Sequence, residues 1–295
     1  MLELESFFLS LDGAFAPNTL RAYKSDWEHY AAWCENNQYD PLQPTENTFA
    51  AYVLTMGETL TTATIRRRIA SLRTLFKLVK APNPTDEPEV ILTLKRLHRQ
   101  LGRAQKQAAP LTHDIYEKLI GVCGDDIVGM RNKLLLQLGH ETMRRRSELC
   151  SFTFDDVHLL PNGHPALLLK RSKTDQFGEG KIIPISQELY DLIEQWKREL
   201  KRDKGFILRG FRRNLKPNNK LNPSSINTIL KKLQQKAEIT DQGALSGHSI
   251  RVGTAIDLLE KGMPIEKIML KGGWKSESTT FRYLRNWKEI NSLVR

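Results

Sequence analysis

The sequence predicts a mainly α-helical protein of two domains, with a small antiparallel β-sheet in the second. Its 295 residues suggest two domains with sizeable cores. A content of 40% hydrophobic and 27% charged residues is ordinary globular usage. Apolar residues recur at three- and four-residue intervals in the first third of the chain, which is typical of helices packed on a core. Residues 152 to 184 switch to β-branched and alternating character, which predicts three strands.

The first domain, residues 1–102, is predicted to be a helical bundle. Its clearest helix is 18–35, with Asn18 as the expected N-cap. The apolar stripe of that helix consists of Leu20, Tyr23, Trp27, Tyr30, Ala31 and Cys34. After an interruption at Pro41 and Pro44, further helices are predicted at 45–56, 62–80 and 86–102.

A linker is predicted at residues 103–110, because the stretch from Gly102 to Pro110 has no hydrophobic period. The second domain, 111–295, opens with a helix capped by Thr112 and holds the sheet, whose last turn carries Lys173. Ser246 is a good N-cap for a later helix. The helices predicted for this domain are 112–122, 126–139, 186–203, 223–238, 246–261, 264–271 and 277–287.

The charge distribution predicts a DNA-binding surface. Residues 1 to 105 hold 12 basic and 12 acidic residues, whereas 106 to 295 hold 33 and 22, so the net charge of +11 lies in the second domain. Residues 66 to 80 contain six basic residues and no acid, and Asp203 is the only acid between Lys201 and Lys236. One such run alone would more often be a solvated helix face. Two runs flanking groups suited to phosphate chemistry favour nucleic acid.

Cysteine usage and the N-terminus indicate a reducing, cytoplasmic or nucleoid location. Cys34, Cys123 and Cys150 are odd in number and lack metal-ligand spacing, so neither a disulfide framework nor a zinc site is expected. Glu3 and Glu5 stand where a signal peptide would need positive charge, and no apolar run approaches a membrane span. No cofactor and no metal are expected, since the zinc-protease and P-loop patterns both fail.

The segment 245–287 carries the chemistry. His248 and Arg251 are three residues apart, so on a helix they share a face and converge on one ligand. A guanidinium can bind two phosphate oxygens at once. A Gly-Gly-Trp turn ending at Trp274 follows, and Tyr283 comes nine residues later. Each residue alone has an ordinary structural explanation, but their joint order predicts a site that binds and attacks a phosphodiester.

These residues resemble the tyrosine recombinase (phage integrase) family, and within it the Cre-like recombinases. The family has His-x-x-Arg, then Leu-Gly-His or Gly-Gly-Trp, then a nucleophilic Tyr nine residues on. Residues 142–149, TMRRRSEL, are similar to its Thr-Gly-Leu-Arg-x-Ser-Glu-Leu, a register that selects Arg145 and Glu148 rather than Arg144 or Arg146. Met143 and Arg144 replace the usual Gly-Leu. Lys173 matches the family's lysine in a β-turn, and residues 17–55 resemble the helical core-binding domain.

The resemblance implies an N-terminal helical core-binding (SAM-like) domain and a C-terminal catalytic domain. It implies that Tyr283 forms a covalent 3′-phosphotyrosyl link and that strand exchange passes through a Holliday junction, without ATP or metal. Arg145, Arg251 and Trp274 would bind the phosphate, with Glu148 orienting Arg145. Lys173 would protonate the leaving 5′-oxygen, and His248 would assist proton movement or hold the phosphate.

The expected partners are duplex DNA with an inverted-repeat site and further copies of the chain, as a homotetramer on two sites, with no membrane. The residues expected to face DNA are Arg21, Lys24, Arg66, Arg67, Ser224, Asn227 and Lys231. For the apolar tail formed by Trp287, Ile290, Leu293 and Val294, the alternatives are packing into a neighbouring subunit, packing back on its own domain, and fraying. Alternatives are a type IB topoisomerase, a telomere resolvase, and a DNA-binding protein without catalysis.

Overall fold

The computed structural model describes residues 2–102, 107–172 and 180–278, together with 280, 281 and 284; of residues 2–5 it describes the backbone. The chain forms two compact units, Met1–Lys106 and Gln107–Arg295. The secondary structure is mostly helical with one three-stranded antiparallel sheet, so the predicted fold class is confirmed.

In the residues described for it, the first unit is a bundle of five helices. They are α1 (Leu2–Ser10), α2 (Pro17–Asn36), α3 (Glu46–Thr59), α4 (Thr62–Val79) and α5 (Pro88–Leu101), with a short 3₁₀ turn at Pro84–Asp86. The prediction missed α1 and placed the cap of α2 wrongly. Helix α2 begins after Ala16 with Pro17 in its first turn, where proline's fixed φ is favourable, and Asn18 is already helical.

Aromatic rings fill the core of this bundle. Tyr30 of α2 makes edge contacts with Phe49 of α3 and Phe76 of α4, each at 5.7 Å between ring centroids. It also meets Tyr52 at 5.0 Å. All four rings are almost completely buried. This packing fixes α2 against α4, the two helices that carry the predicted DNA contacts of the first unit.

The described part of the second unit contains the sheet, several helices and a few helical positions near its end. The helices are α6 (His113–Gly121), α7 (Ile127–Thr142), α8 (Arg146–Leu149), α9 (Gln187–Leu200), α10 (Ser225–Lys236), α11 (Gly247–Glu260) and α12 (Ile265–Gly272). Strands β1 (Val157–Leu159), β2 (Pro165–Leu169) and β3 (Lys181–Pro184) follow one another in the sheet, and Leu167 of β2 pairs with Val157 and Ile183. Positions 277, 278, 280, 281 and 284 are helical, within the last predicted helix.

Helix α11 is central to the second unit because glycines let other segments approach it closely. A Cβ on Gly253 would lie 1.8 Å from the backbone oxygen of Leu111. The amide of Leu111 in turn donates to the carbonyl of Ser249 at 3.0 Å. On another side, Gly139 of α7 faces Ile250 closely enough that a Cβ would be 3.0 Å from that side chain. Helices α7 and α11 are thus held together where α7 ends.

In the described ranges, no helix is long and apolar enough to cross a membrane. The same residues contain no cluster of three or more side chains that could ligate a metal.

Candidate active site

The corner between α7 and α8 begins the site. Met143 ends α7 in the left-handed region, with φ of +51°, and its amide donates to the carbonyl of Gly139 at 2.9 Å. This conformation is uncommon for a residue with a side chain and natural for glycine. The Met143 side chain is fully buried in an apolar cluster with Val252, Ile268 and Trp274. The packing of this side chain stabilises a left-handed backbone at a position where the family pattern has glycine.

Arg145 and Glu148 form a two-point contact directly after this corner. The backbone amide of Arg145 donates to Oε2 of Glu148 at 3.0 Å, and Nη1 donates to Oε1 at 2.8 Å. Glu148 is 4% exposed, whereas the Arg145 side chain is 28% exposed. Burial alone would raise the pKa of Glu148, but the two hydrogen bonds and the charges of Arg145 and Arg144 outweigh it, so the pKa is lowered. Glu148 therefore holds an accessible guanidinium.

The two neighbouring arginines are engaged differently. Arg144 is 2% exposed, and its Nε donates to the carbonyl of Thr142 at 2.7 Å while its Nη2 donates to the carbonyl of Lys271. Burial lowers the pKa of Arg144. Arg146 is exposed, and its stem passes Gly247 so closely that a Cβ there would be 2.2 Å from Cγ. Arg144 thus serves as a link to the end of α12.

Helix α11 presents His248 and Arg251. Ser246 caps the helix as predicted, accepting from the amide of His248 at 3.3 Å. His248 is half-buried, and its pKa is lowered by burial and then by the charges of Arg251, Arg145 and Arg146. The histidine therefore lies within the electrostatic reach of both candidate phosphate-binding arginines.

Arg251 joins three parts of the site. Its Nη1 donates to the carbonyl of Met143 and its Nη2 to the carbonyl of Gly272 at 3.0 Å. The guanidinium carbon lies 4.9 Å from the ring centre of Trp274, a cation–π contact. Arg251 is 2% exposed and Trp274 9%. The residues of the His-x-x-Arg and Gly-Gly-Trp motifs thus lie beside the α7–α8 corner.

Two predicted catalytic residues, Lys173 and Tyr283, lie outside the described residues. Near the site the structure adds Lys181, at the start of β3, whose Nζ donates to the carbonyl of Leu270 at 2.6 Å. Burial, and then the charge of Arg144, lowers the pKa of Lys181. The sequence analysis gave neither Lys181 nor Arg144 a role. Arg144 could have been suspected from its place in the arginine triplet, but Lys181 carries no local signal.

The residues expected to face DNA are placed as follows. In the second unit Ser224, directly before α10, and Lys231 on α10 are exposed, while the side-chain oxygen of Asn227 accepts from the amide of Gly247 at 3.0 Å. Asn227 therefore connects α10 to the start of α11. The first unit exposes Arg21, Lys24, Arg66 and Arg67 on α2 and α4. Arg67 is also bound to the buried carboxylate of Asp26, which the sequence analysis did not identify.

Comparison with known proteins gives the same two-part division. Residues 110–289 match the phage integrase family model, and residues 4–82 match the phage integrase N-terminal SAM-like domain. An integrase/recombinase XerD homolog of Selenomonas ruminantium is 26% identical, over 93% of this chain and 83% of that protein. Recombinase Cre of Escherichia phage P1 is also 26% identical, over 96% of this chain and 88% of that protein.

Solved structures share the fold. A lambda integrase (75–356) dimer bound to a COC′ core site superposes with a TM-score of 0.66 and 18% identity, covering 95% of this chain and 93% of that one. The XerH site-specific recombinase bound to a palindromic difH substrate gives a TM-score of 0.66 and 19% identity, covering 92% and 79%. At these identities the similarity establishes the fold of this chain.

Proposed function

The chain belongs to the phage integrase family, and we propose that it is a tyrosine-type site-specific DNA recombinase that acts through a covalent link between DNA and Tyr283. The resemblance predicted from the sequence is therefore confirmed. The observation that best supports the function is that Arg251, three residues after His248 on α11, donates to the carbonyl of Met143 at the corner that leads into Arg145. Arginines held by backbone contacts at this corner suit a reaction in which negative charge develops on phosphate oxygens.

The phenol of Tyr283 is the proposed nucleophile. It attacks a backbone phosphorus, forms a 3′-phosphotyrosyl bond and releases a 5′-hydroxyl, which later attacks the partner strand. Exchange of one ester for another conserves the bond energy, so the reaction needs no ATP. A free phenol has a pKa of about 10, so cationic neighbours are required for attack near neutral pH.

The arginines supply the stabilising charge in this proposal. Arg145, fixed by Glu148, and Arg251 bind the non-bridging oxygens of the phosphate in the transition state. Trp274 lies against Arg251 and offers an indole N–H as a further donor. The two backbone carbonyls that Arg251 contacts orient its guanidinium within the site.

Proton transfer is assigned to two residues. Lys173 acts as general acid toward the leaving 5′-oxygen, because an ammonium on a flexible stem can deliver a proton to a developing alkoxide. His248 has a lowered pKa, so its imidazole is neutral near pH 7 and can accept a proton near Tyr283 or hydrogen-bond the phosphate.

Trapping of the covalent intermediate tests the assignment of the nucleophile. Tyr283→Phe should bind duplex DNA but form no protein–DNA adduct on a denaturing gel. Arg145→Ala should also abolish cleavage, because the lost guanidinium meets the developing charge. Arg198→Ala on α9 is the matched control, since that arginine is exposed and makes no ion pair in the described part of the chain, and Arg146→Ala tests the neighbouring register. A normal adduct from Tyr283→Phe, or cleavage by Arg145→Ala with loss in Arg146→Ala, would contradict the proposal.

We further propose a homotetramer that joins two inverted-repeat DNA sites and passes through a Holliday junction. Such a protein works where its DNA substrate lies, on the nucleoid in the cytoplasm. Deletion of residues 288–295 should leave single-site binding intact and weaken two-site assembly, if the apolar tail packs on a neighbour. Sedimentation on paired sites measures this, and an unchanged tetramer population would show that the tail is not the connector.

Three activity assays separate recombination from its alternatives. Exchange between two DNA sites is the expected result. Relaxation of supercoiled DNA without exchange would indicate a type IB topoisomerase, and hairpin formation a telomere resolvase. Binding without any adduct would indicate a protein that has no catalytic activity. Each of these three results would overturn the proposed recombinase function.

A further inference from the structure

The first unit contains a buried carboxylate that holds two adjacent arginines. Asp26 of α2 is fully buried. Arg67 of α4 donates to it from both ends of its guanidinium, Nη1 to Oδ2 and Nη2 to Oδ1, the latter at 2.8 Å. Arg68 lies behind, with Nε 3.5 Å from Oδ1 and a side chain 13% exposed. A buried carboxylate requires such partners, and it fixes them in return.

Arg67 differs from Arg68 because 47% of its side chain remains exposed. A guanidinium has five N–H groups, and the contact with Asp26 engages one on each Nη. The Nε–H and the outer Nη hydrogens remain, and within the described part of the chain Arg67 makes no other hydrogen bond. With 47% of the side chain exposed, a second edge of the guanidinium can pair with two phosphate oxygens while the first holds Asp26.

We propose that Arg67, held by Asp26, is a binding site for a DNA backbone phosphate, with Asp26 as its positioning residue. This inference rests on the proposed function and identifies a contact that serves it. Arg68 also lies beside the carboxylate of Asp26, so two positive charges face one negative charge. A net positive charge therefore remains at Arg67, on the surface. Exposed Arg66 precedes it, and residues 66 to 80 contain no acid.

Asp26 contributes through preorganisation. A long arginine side chain loses rotamer freedom when it contacts DNA, and this loss opposes binding. Arg67 has already lost that freedom in the free protein, because both Nη groups are bound to a carboxylate that cannot move. Exposed Arg66 makes no ion pair with the residues that the structure describes. The affinity contributed by Arg67 should therefore depend on Asp26.

The experiment measures binding of the full chain to a duplex by fluorescence anisotropy across a salt series. Arg67→Ala should weaken binding about ten- to hundredfold, the loss of one charged hydrogen-bonded contact. It should also reduce the slope of log K against log salt by about 0.9, one phosphate. Arg67→Lys should lose affinity but keep the slope, because a point charge cannot hold carboxylate and phosphate together.

Asp26→Asn should weaken binding severalfold when Arg67 is present and have little effect in the Arg67→Ala background. Asp86→Asn is the matched control, because Asp86 pairs with Arg73 in the same unit on an exposed surface. It should leave binding unchanged. All measurements are made below the unfolding temperature of each variant. If Asp26→Asn does not fold, the affinity of Arg67→Lys tests whether Arg67 contacts carboxylate and phosphate at the same time.

Several results would overturn the inference. Unchanged binding by Arg67→Ala would show that Arg67 makes no contact. An equal effect of Asp26→Asn with and without Arg67 would make Asp26 a purely structural residue. Loss confined to one DNA sequence would indicate a base contact instead of a phosphate. Failure of the unaltered protein to bind duplex DNA would instead contradict the proposed function itself.

Discussion

Replacement of Glu148 by glutamine should destabilise the second unit and disable the site, although the change is nearly isosteric. Both oxygens of the carboxylate accept hydrogen bonds from Arg145, one from the backbone amide and one from the guanidinium. Glutamine has one acceptor oxygen and one NH₂ group. In either orientation the NH₂ must face a donor, inside a pocket where residue 148 is 4% exposed.

The magnitude follows from these two bonds. A hydrogen bond to a charged group contributes about 1.5–3 kcal/mol and a neutral one about 0.5–1.5. One bond is weakened and the other lost, so the free energy of unfolding should fall by about 2–3 kcal/mol. For a domain of this size each kcal/mol lowers Tm by about 2–4 °C, which gives a decrease of about 4–12 °C.

Thermal unfolding monitored by circular dichroism measures this change, and DNA cleavage is assayed in parallel. Glu194→Gln is the matched control, since Glu194 pairs with Lys197 three residues away, with both side chains more than a quarter exposed. Its effect should stay below about 1 kcal/mol. A Tm for Glu148→Gln that equals that of Glu194→Gln would refute the reasoning.

The same variant should alter the acid limb of stability. The pKa of Glu148 is lowered in the folded protein, so its contribution is complete above the ordinary glutamate value and is lost as pH falls through the folded pKa. Glutamine cannot titrate. The stability of Glu148→Gln should therefore fall less steeply below about pH 4.3 than that of the unaltered protein.

Three further outcomes are expected. Met143→Gly removes the cost of a left-handed backbone at a residue with a side chain, about 1–2 kcal/mol, but it also removes a fully buried side chain, so the free energy of unfolding measured in denaturant should fall by about 1–4 kcal/mol. Lys201→Gly is the control, because exposed Lys201 has a similar φ of +50°, and this change should be neutral or stabilising. Equal effects of the two changes would contradict this explanation. Gly253→Ala should lower the free energy of unfolding by about 1–3 kcal/mol, because the added Cβ would clash with the carbonyl of Leu111. Gly121→Ala is the control, since a Cβ there has no atom within 4 Å. Equal stabilities of the two variants would contradict the close approach at Gly253. Because the pKa of His248 is lowered in the folded protein, the stability that its neutral form contributes is lost as pH falls below about 6.5. The free energy of unfolding of His248→Gln, measured by chemical denaturation, should therefore depend less on pH in that range. The same pH dependence in the variant and the unaltered protein would show that another group titrates there.

Local features made much of the fold predictable from the sequence. The apolar period identified α2, and Ser246 marked the start of α11, because helix periodicity and capping depend on residues within a few positions of one another. Prediction failed where local signals were weak. Helix α8 has only four residues, too few to show a period, and Pro17 rather than Asn18 determines how α2 begins.

The chemistry-bearing residues were readable as a motif, whereas their partners were not. The sequence by itself identified His248, Arg251 and Trp274 by order and spacing. Only the tertiary structure decided that Arg251 bonds to the carbonyl of Met143, 108 positions earlier. It likewise paired Arg67 with Asp26, 41 positions away. Such contacts form where packed helices meet, between residues that are close in space but far apart in the chain. Periodicity and capping depend on residues within a few positions of one another, so they do not show which distant residues will pair.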